Sequence, residues 1–412
     1  MKIVLSHPTG NANVRNALRA IKDIDRLAEF HTTVATFDHN IFGHLSKFGF
    51  GNQLERRRYD EDLREITSLQ PFREIIRVLA LKYDWHSLSS STTGSCSIEK
   101  VYEALDRYTA KRLATVKTQE TGAVYCYEDG AAVSFKAARE KGMHCIYELP
   151  IGYWRSAIQI QSEEAELRPA WAATMPVLGD SKQKLEKKDI ELQTADTIIV
   201  ASQFTASTLK DAPFEMSDPI IIPYGCGTTV TTKKPSVHSD KKLKVLYVGA
   251  LSQRKGVAYL LDAIEPLDDI IDLTIIGRRT ADCSEMDAAL NKYRWLESLP
   301  HHSILKEMSE HDVFVFPSLF EGFGLVLTEA MSQGIPIITT SHTCAPDIMT
   351  DGKEGFIIPI RDSEAITEKL ELLHKDRDLL HSMKSSAIET AQQISWKRYQ
   401  EKLANTLSGV LS

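Results

Sequence analysis

Two glutamates in an E-x7-E spacing, Glu321 and Glu329, flank a glycine-broken turn in the stretch DVFVFPSLFEGFGLVLTEAMSQGIP, from Asp312 to Pro336. A carboxylate only accepts hydrogen bonds, and it can take two from neighbouring hydroxyls, the pattern that a ribose or hexose ring offers. Between them Gly322 and Gly324 lack Cβ atoms and allow a ligand close to the backbone. The free amides of a helix starting at Leu325 form a site for a diphosphate. A second set of groups lies in VLYVGALSQRKGVAYLLDAI, from Val245 to Ile264, where Lys255 and Gly256 open a helix just after a strand and its Gly249. A cation beside helix amides also grips a diphosphate, and Arg254 is a second cation at the same place. Three further candidates lie nearer the amino terminus: the turn SHPTGNAN with His7, Gly10, Asn11 and Asn13, the pair Glu128 and Asp129, and Glu148. The two carboxylate sets each end a buried strand, where a polar group can meet a substrate hydroxyl. For Asp129 a plain Asp-Gly turn explains the residue equally well.

These groups need a scaffold of alternating strands and helices. Val313 to Phe316 is an unbroken apolar run of the kind buried in parallel sheets, and Leu325 to Met331 has helix-forming content. Apolar runs at Lys2–Ser6, Ala123–Tyr127, His144–Leu149, Thr197–Ala201 and Ile220–Pro223 predict the strands of a first layered domain. A helix is expected from about Asn13 to Phe30. After CGTTVTTKKPSVHSDKK, a polar stretch read as a linker over 226–242, a new series begins with KVLYVGA, DLTIIG, DVFVFPS, PIITT and GFIIPI. The expected division is a first domain over 1–225, a second over 243–395, and a last helix over 396–412. Ligands of such sheets bind at the carboxyl ends of the strands, so two facing sheets make a cleft.

The combination PS, EGFG, E-x7-E, EAM-x-x-G-x-P and RKG resembles the signature of the GT-B glycosyltransferases of family 4. That resemblance implies an α/β protein with two Rossmann-like domains across a cleft, and a closing helix around Trp396 that returns to the first domain. It implies retaining transfer of a hexose from a nucleotide diphosphate sugar, with UDP or GDP as carrier, to a carbohydrate or lipid-linked glycan acceptor in polysaccharide synthesis. Glu321 then contacts the donor sugar, Glu329 holds the ribose, and the amides of Phe323, Gly324 and Leu325 face the phosphates. Gly10 approaches the donor phosphate, and Lys255 and Arg254 balance the departing diphosphate, Arg254 replacing an arginine that many members have at Ala250. The turns Gly277 to Arg279, with Arg278, and Trp295 to Ile304 are where base selection is expected. Glu148 falls near a histidine position of the family, with a poor match. No cofactor or metal is implied, because amides and cations take the diphosphate and no DxD pair occupies a donor loop.

At 412 residues with 42% hydrophobic and 25% charged residues, the composition is that of a two-domain globular protein, and a net charge of −7 opposes a general nucleic-acid role. Six scattered cysteines without metal-type spacing fit a reducing cytoplasm. MKIVLSHPTG predicts a strand, not a signal peptide, and no run reaches the roughly 20 apolar residues of a membrane span. The stretch Leu54–Lys82 mixes arginines with apolar residues at helical spacing, which fits a solvated helix face, its acids Glu55, Asp60, Glu61 and Asp62 diluting the charge, or else weak peripheral contact with the inner face of a membrane. Two alternatives stand beside the transferase: a nucleotide-sugar epimerase, which would convert the donor alone, and a non-catalytic nucleotide-sugar-binding subunit.

Overall fold

Short runs of apolar residues, bounded by glycine, proline and polar turns, form two parallel sheets in the computed structural model. It describes residues 1–38, 42, 54, 57–83, 85–89, 94–115, 120–227 and 242–411. The first sheet contains β1 (Lys2–Ser6), β2 (Leu27–Thr32), β3 (Thr67–Leu69), β4 (Thr121–Tyr127), β5 (His144–Leu149), β6 (Thr197–Val200) and β7 (Ile220–Ile221), in the spatial order 3-2-1-4-5-6-7. The second contains β8 (Leu243–Val248), β9 (Ile271–Ile276), β10 (Arg294–Leu296), β11 (Val313–Phe316), β12 (Ile337–Thr340) and β13 (Gly355–Ile358), in the order 10-9-8-11-12-13. Every pairing is parallel. In both sheets the order reverses at one point, between β1 and β4 and between β8 and β11. Doubly wound sheets open a crevice at the carboxyl ends of those strands.

Central strands buried on both faces must be apolar throughout, and β4 and β11 are buried at every position. Helices cover them with one apolar stripe each. The helix Val257–Ile264 buries Val257, Ala258, Leu260, Ala263 and Ile264 over the second sheet. At the chain's end the helix Trp396–Val410 lies along the helix Ala12–Asp23, where Gln400 Nε2 donates to Asn16 Oδ1 at 2.6 Å and Arg26 donates to the Leu411 carbonyl at 3.0 Å. Residues 228–241 of the expected linker are outside the described residues. All six cysteines are buried and free.

Three expectations are corrected. The helix expected from Asn13 to Phe30 stops at Asp23, because Asp25 takes a left-handed conformation (φ 53°) and the next residues pair with β1 as β2. The helix-forming residues Leu27, Ala28 and Glu29 yield there to tertiary pairing, which outweighs propensity. The helical reading of Leu54–Lys82 holds only for Phe72–Lys82, since Thr67–Leu69 joins the sheet as β3; residues 55 and 56 lie outside the described residues. The stretch Trp295 to Ile304, expected as a turn, holds the end of β10, three residues too short to show alternation, and the start of the helix His301–Glu310. Among the described residues no helix is long and apolar enough to cross a membrane.

Candidate active site

The switch point of the second sheet positions the candidate groups of the second domain. β8 delivers Gly249, and β11 delivers Pro317 and the turn through Gly324; the two strands are adjacent. Gly256 closes the turn that carries Lys255 in a left-handed conformation (φ 71°), with the Pro317 carbonyl where a Cβ would stand, 1.9 Å away. That close approach brings the two loops together. Lys255 Nζ donates to Glu321 Oε1, Arg254 Nη1 donates to the same oxygen at 3.3 Å and to the Phe320 carbonyl at 2.5 Å, and Ser318 Oγ adds a hydrogen bond at 3.1 Å. The ammonium also stands 4.9 Å over the Phe316 ring.

Electrostatics then fix the roles. Burial alone would raise the Glu321 carboxyl, yet the charges of Lys255 and Arg254 outweigh it and hold the group below the usual carboxylate range. Glu321 is therefore ionised and acts as an acceptor, not as an acid. Burial pushes the Lys255 ammonium down despite Glu321, so one further anion at this point favours its charged form. Two cations against one carboxylate leave a positive excess. The helix Leu325–Ser332 adds its amino end, opened by Gly324 in a left-handed conformation (φ 85°). Glu329 lies on that helix, with His301 Nε2 2.9 Å from its carboxylate.

These groups line one cavity of about 430 Å³ that reaches across to Asn11, Asn13, Pro150, Ile151 and Tyr224 of the first domain. The halves touch closely at its floor. Where Gly322 would carry a Cβ, the Pro150 carbonyl stands 1.8 Å away, and Ser202 and Thr205 hydroxyls donate to the Gly322 carbonyl at 2.5 and 2.9 Å. A larger groove of about 570 Å³ runs along the amino ends of β8 and β9, among Lys244, Lys292, Arg294, Glu307 and Glu310. It is on the wrong end of the sheet for a nucleotide, and Arg294 and Lys292 in it are already paired, with Glu307 and Asp268.

The structure gathers Lys255, Glu321, Gly249, Gly322, Phe323, Gly324, Leu325 and Glu329 in the cavity wall, with Arg254 held against Glu321. Other predicted residues lie elsewhere. Glu148 is fully buried and is removed from the catalytic set: Tyr125 and Tyr224 hydroxyls donate to its carboxylate, and Tyr399 lies at 3.5 Å. Burial raises its pKa against these donors, and its contact with the cavity passes through Tyr224, which Asn13 Nδ2 also meets at 3.2 Å. Asp129 is likewise outside. It sits in a left-handed turn (φ 71°) near Lys188, which pairs with Glu128 at 3.1 Å, and Glu191 from another helix accepts the Asp129 and Ala131 amides.

Gly10 borders a separate cavity, and its missing Cβ makes room for the Tyr59 hydroxyl at 1.8 Å. His7 points inward beside the Tyr127 ring and accepts from the Thr9 amide through Nδ1, so it donates nothing to the cleft from that atom. Burial lowers its pKa to about 3. Gly277 lets β9 approach β8, with the Gly249 carbonyl 1.8 Å from where its Cβ would be, and the Arg278 side chain is exposed outside the cavity wall. Tyr224 and Pro150 went unpredicted; Ser318 belongs to the PS motif, and His301, within the stretch 295–304 named for base selection, stands against Glu329. Tyr224 follows the IIP turn before the second domain, and that placement alone could have flagged it. Among the described residues no three His, Cys, Asp or Glu side chains come together as metal ligands.

Residues 230–390 match the family model of the group 1 glycosyl transferases. Over 190 residues the chain is 28% identical to the phosphatidyl-myo-inositol mannosyltransferase of Mycobacterium leprae, a stretch covering 44% of this chain and 50% of that one. Over 175 residues it is 31% identical to the capsular polysaccharide biosynthesis glycosyltransferase CapM of Staphylococcus aureus, covering 39% and 45%. The chain thus spans about half the length of these curated relatives. Sucrose-phosphate synthase from Thermosynechococcus elongatus superimposes with a TM-score of 0.66 at 16% identity, over 100% of this chain and 99% of that one. Anabaena HepE, solved in complex with UDP-glucose, does so at 0.62 and 17% identity, over 99% and 100%. The shared feature is the fold, the paired Rossmann-like domains of GT-B glycosyltransferases.

Proposed function

We propose that this protein is a retaining glycosyltransferase of family 4, moving a hexose from a nucleotide diphosphate sugar to an acceptor hydroxyl in glycan synthesis. The observation that carries the reading is the convergence of Lys255, Arg254, ionised Glu321 and a helix amino end on one cavity beside Glu329. In this reading the helix amides and Lys255 stabilise charge on the departing diphosphate, where preorganised groups do most for a transition state. Glu321 accepts from a hydroxyl of the transferred sugar. Glu329 accepts from the ribose, its carboxylate steadied by His301. The leaving phosphate takes the proton of the acceptor hydroxyl on the same face as the departing bond, so no protein nucleophile is required. Positive charge from two side chains and the helix stands in for a metal. UDP is the first carrier to test and GDP the second, and the acceptor is a carbohydrate or a lipid-linked glycan. The exposed apolar residues Phe72, Ile75 and Leu81 on one helix are consistent with work at the inner face of a membrane.

A melting-temperature screen with UDP, GDP and ADP, followed by nucleotide-release assays with the matching sugars, tests the reading. One nucleotide should stabilise the chain, and Lys255→Ala should lower turnover by at least about a hundredfold. Wild-type turnover in Lys255→Ala would overturn it. Conversion of the donor sugar without an acceptor would favour the epimerase.

A further inference from the structure

We propose that the first domain carries a second pocket, built to hold a phosphate or carboxylate group of the acceptor. It rests on the transferase reading only for the word acceptor. The pocket, of about 350 Å³, is lined by Thr9, Gly10 and Asn11 on one side and by Arg57, Arg77, Val78 and Leu81 on the other. Asn11 lines both this pocket and the donor cavity, so a molecule seated here can reach the cleft.

The charge arrangement points to an anion. Arg57 and Arg77 share a single carboxylate, Glu74, which is 1% exposed. Arg77 holds it in a two-pronged contact, Nε at 2.7 Å and Nη2 at 2.8 Å, while Arg57 Nη2 donates to Oε1. One guanidinium suffices for a buried carboxylate, so the second leaves a surplus positive charge. Arg57 is fixed further through Nη1, to Thr33 Oγ1 at 3.0 Å and the Pro8 carbonyl at 3.4 Å, whereas Arg77 meets Glu74 through Nε and Nη2. Both side chains are largely buried, at 15% and 19% exposure, where an uncompensated guanidinium is costly and an arriving anion is correspondingly favoured. Among the described residues the nearest other carboxylates, Glu128 and Asp129, have cations of their own, Lys188 at 3.1 and 3.8 Å with Lys184 and Lys187 close by, and His7 stays neutral. Planar guanidinium forks suit the paired oxygens of a phosphate or carboxylate. Leu81, 54% exposed, and Val78 give the pocket an apolar wall that fits a sugar face or a lipid chain.

The test is calorimetric titration of the full chain, saturated with UDP, using glucose 6-phosphate, glucuronate and glucose at low salt. A flotation arm uses vesicles of neutral lipid with and without phosphatidic acid. At least one of the soluble anions should bind about tenfold more tightly than glucose. Arg77→Gln, which leaves Glu74 paired with Arg57, should lose that tenfold while binding UDP as the wild type does. Val78→Glu, which offers the pocket its own carboxylate, should lose it too and serves if Arg77→Gln folds poorly. Binding confined to phosphatidic acid vesicles and abolished by Arg77→Gln would assign the anion to a lipid headgroup and support the pocket. Anions bound no better than glucose and no vesicle binding, or binding unchanged in both variants, would overturn it. Failure to bind any nucleotide would count against the transferase reading instead, whatever the anions do.

Discussion

Replacing Glu321 by glutamine removes one negative charge from a buried group of three and leaves Lys255 and Arg254 without a counter-ion. The Glu321 side chain is 9% exposed, and those of Lys255 and Arg254 are 14% and 18% exposed, so solvent screens the loss poorly. Breaking a buried pair from one side costs about 3 kcal/mol or more. For a domain of this size that corresponds to a fall of roughly 6–12 °C in melting temperature. If the two cations face the diphosphate, UDP should return part of the loss, because its phosphates supply the missing negative charge. Saturating UDP at about a hundred times its Kd adds about 2.7 kcal/mol to the wild type. In Glu321→Gln the UDP increment should be larger than that by about 1 kcal/mol, or roughly 2–4 °C more. Turnover should fall by about 10- to 100-fold, the worth of a charged hydrogen bond to the sugar. Differential scanning fluorimetry with and without UDP, beside a nucleotide-release assay, reads all three. A melting-temperature fall of the same size with and without UDP would refute the placement of the phosphates at Lys255.

Loss of Glu329 should act on binding instead. Glu329→Ala is expected to raise the Kd of every nucleotide sugar that the enzyme uses by about tenfold, with kcat little changed, as initial-rate kinetics across two donors would show. Gly322→Ala puts a methyl 1.8 Å from the Pro150 carbonyl, so the halves must part; turnover should drop by about tenfold or more while UDP still binds, and small-angle scattering should report a more open chain. His7, held neutral by burial with a pKa of about 3, affects acid stability. Below about pH 6.5 the unfolded chain takes up a proton there that the folded chain refuses, so stability is full above that pH and falls as pH drops, by at most about 1.4 kcal/mol per unit. His7→Asn, which keeps an acceptor for the Thr9 amide, should flatten urea-derived stability between pH 6 and 4 by up to that slope.

How much of this site is legible in the sequence depends on how far apart its parts lie along the chain. The run from Asp312 to Pro336 carries its own instructions: an apolar strand, a turn whose glycine at 324 needs φ 85°, and a helix whose amino end follows at once. Each is a local matter of propensity and backbone conformation, and the structure forms β11 and the helix within a residue of the expected bounds. The link from Glu321 to Lys255 spans 66 residues, yet both sit in strand-end turns of adjacent parallel strands, so topology alone brings them together. The first domain offers no such shortcut. Glu148 ends a strand as an active-site carboxylate would, and only the meeting of Tyr125, Tyr224 and Tyr399, from three distant elements, turns it into the core. Gly10 looks like a ligand's glycine, but the Tyr59 hydroxyl occupies the space. Around Glu74 the two cases meet: Arg77 is its i,i+3 partner on one helix, and Arg57 arrives from outside that helix. The second domain's half of the cleft is thus set by local backbone chemistry and the first domain's half by packing. If the proposed transferase reading holds, substitutions in the first domain should therefore alter acceptor choice through the residues behind the cleft wall, as Glu148 stands behind Tyr224, as much as through the wall itself.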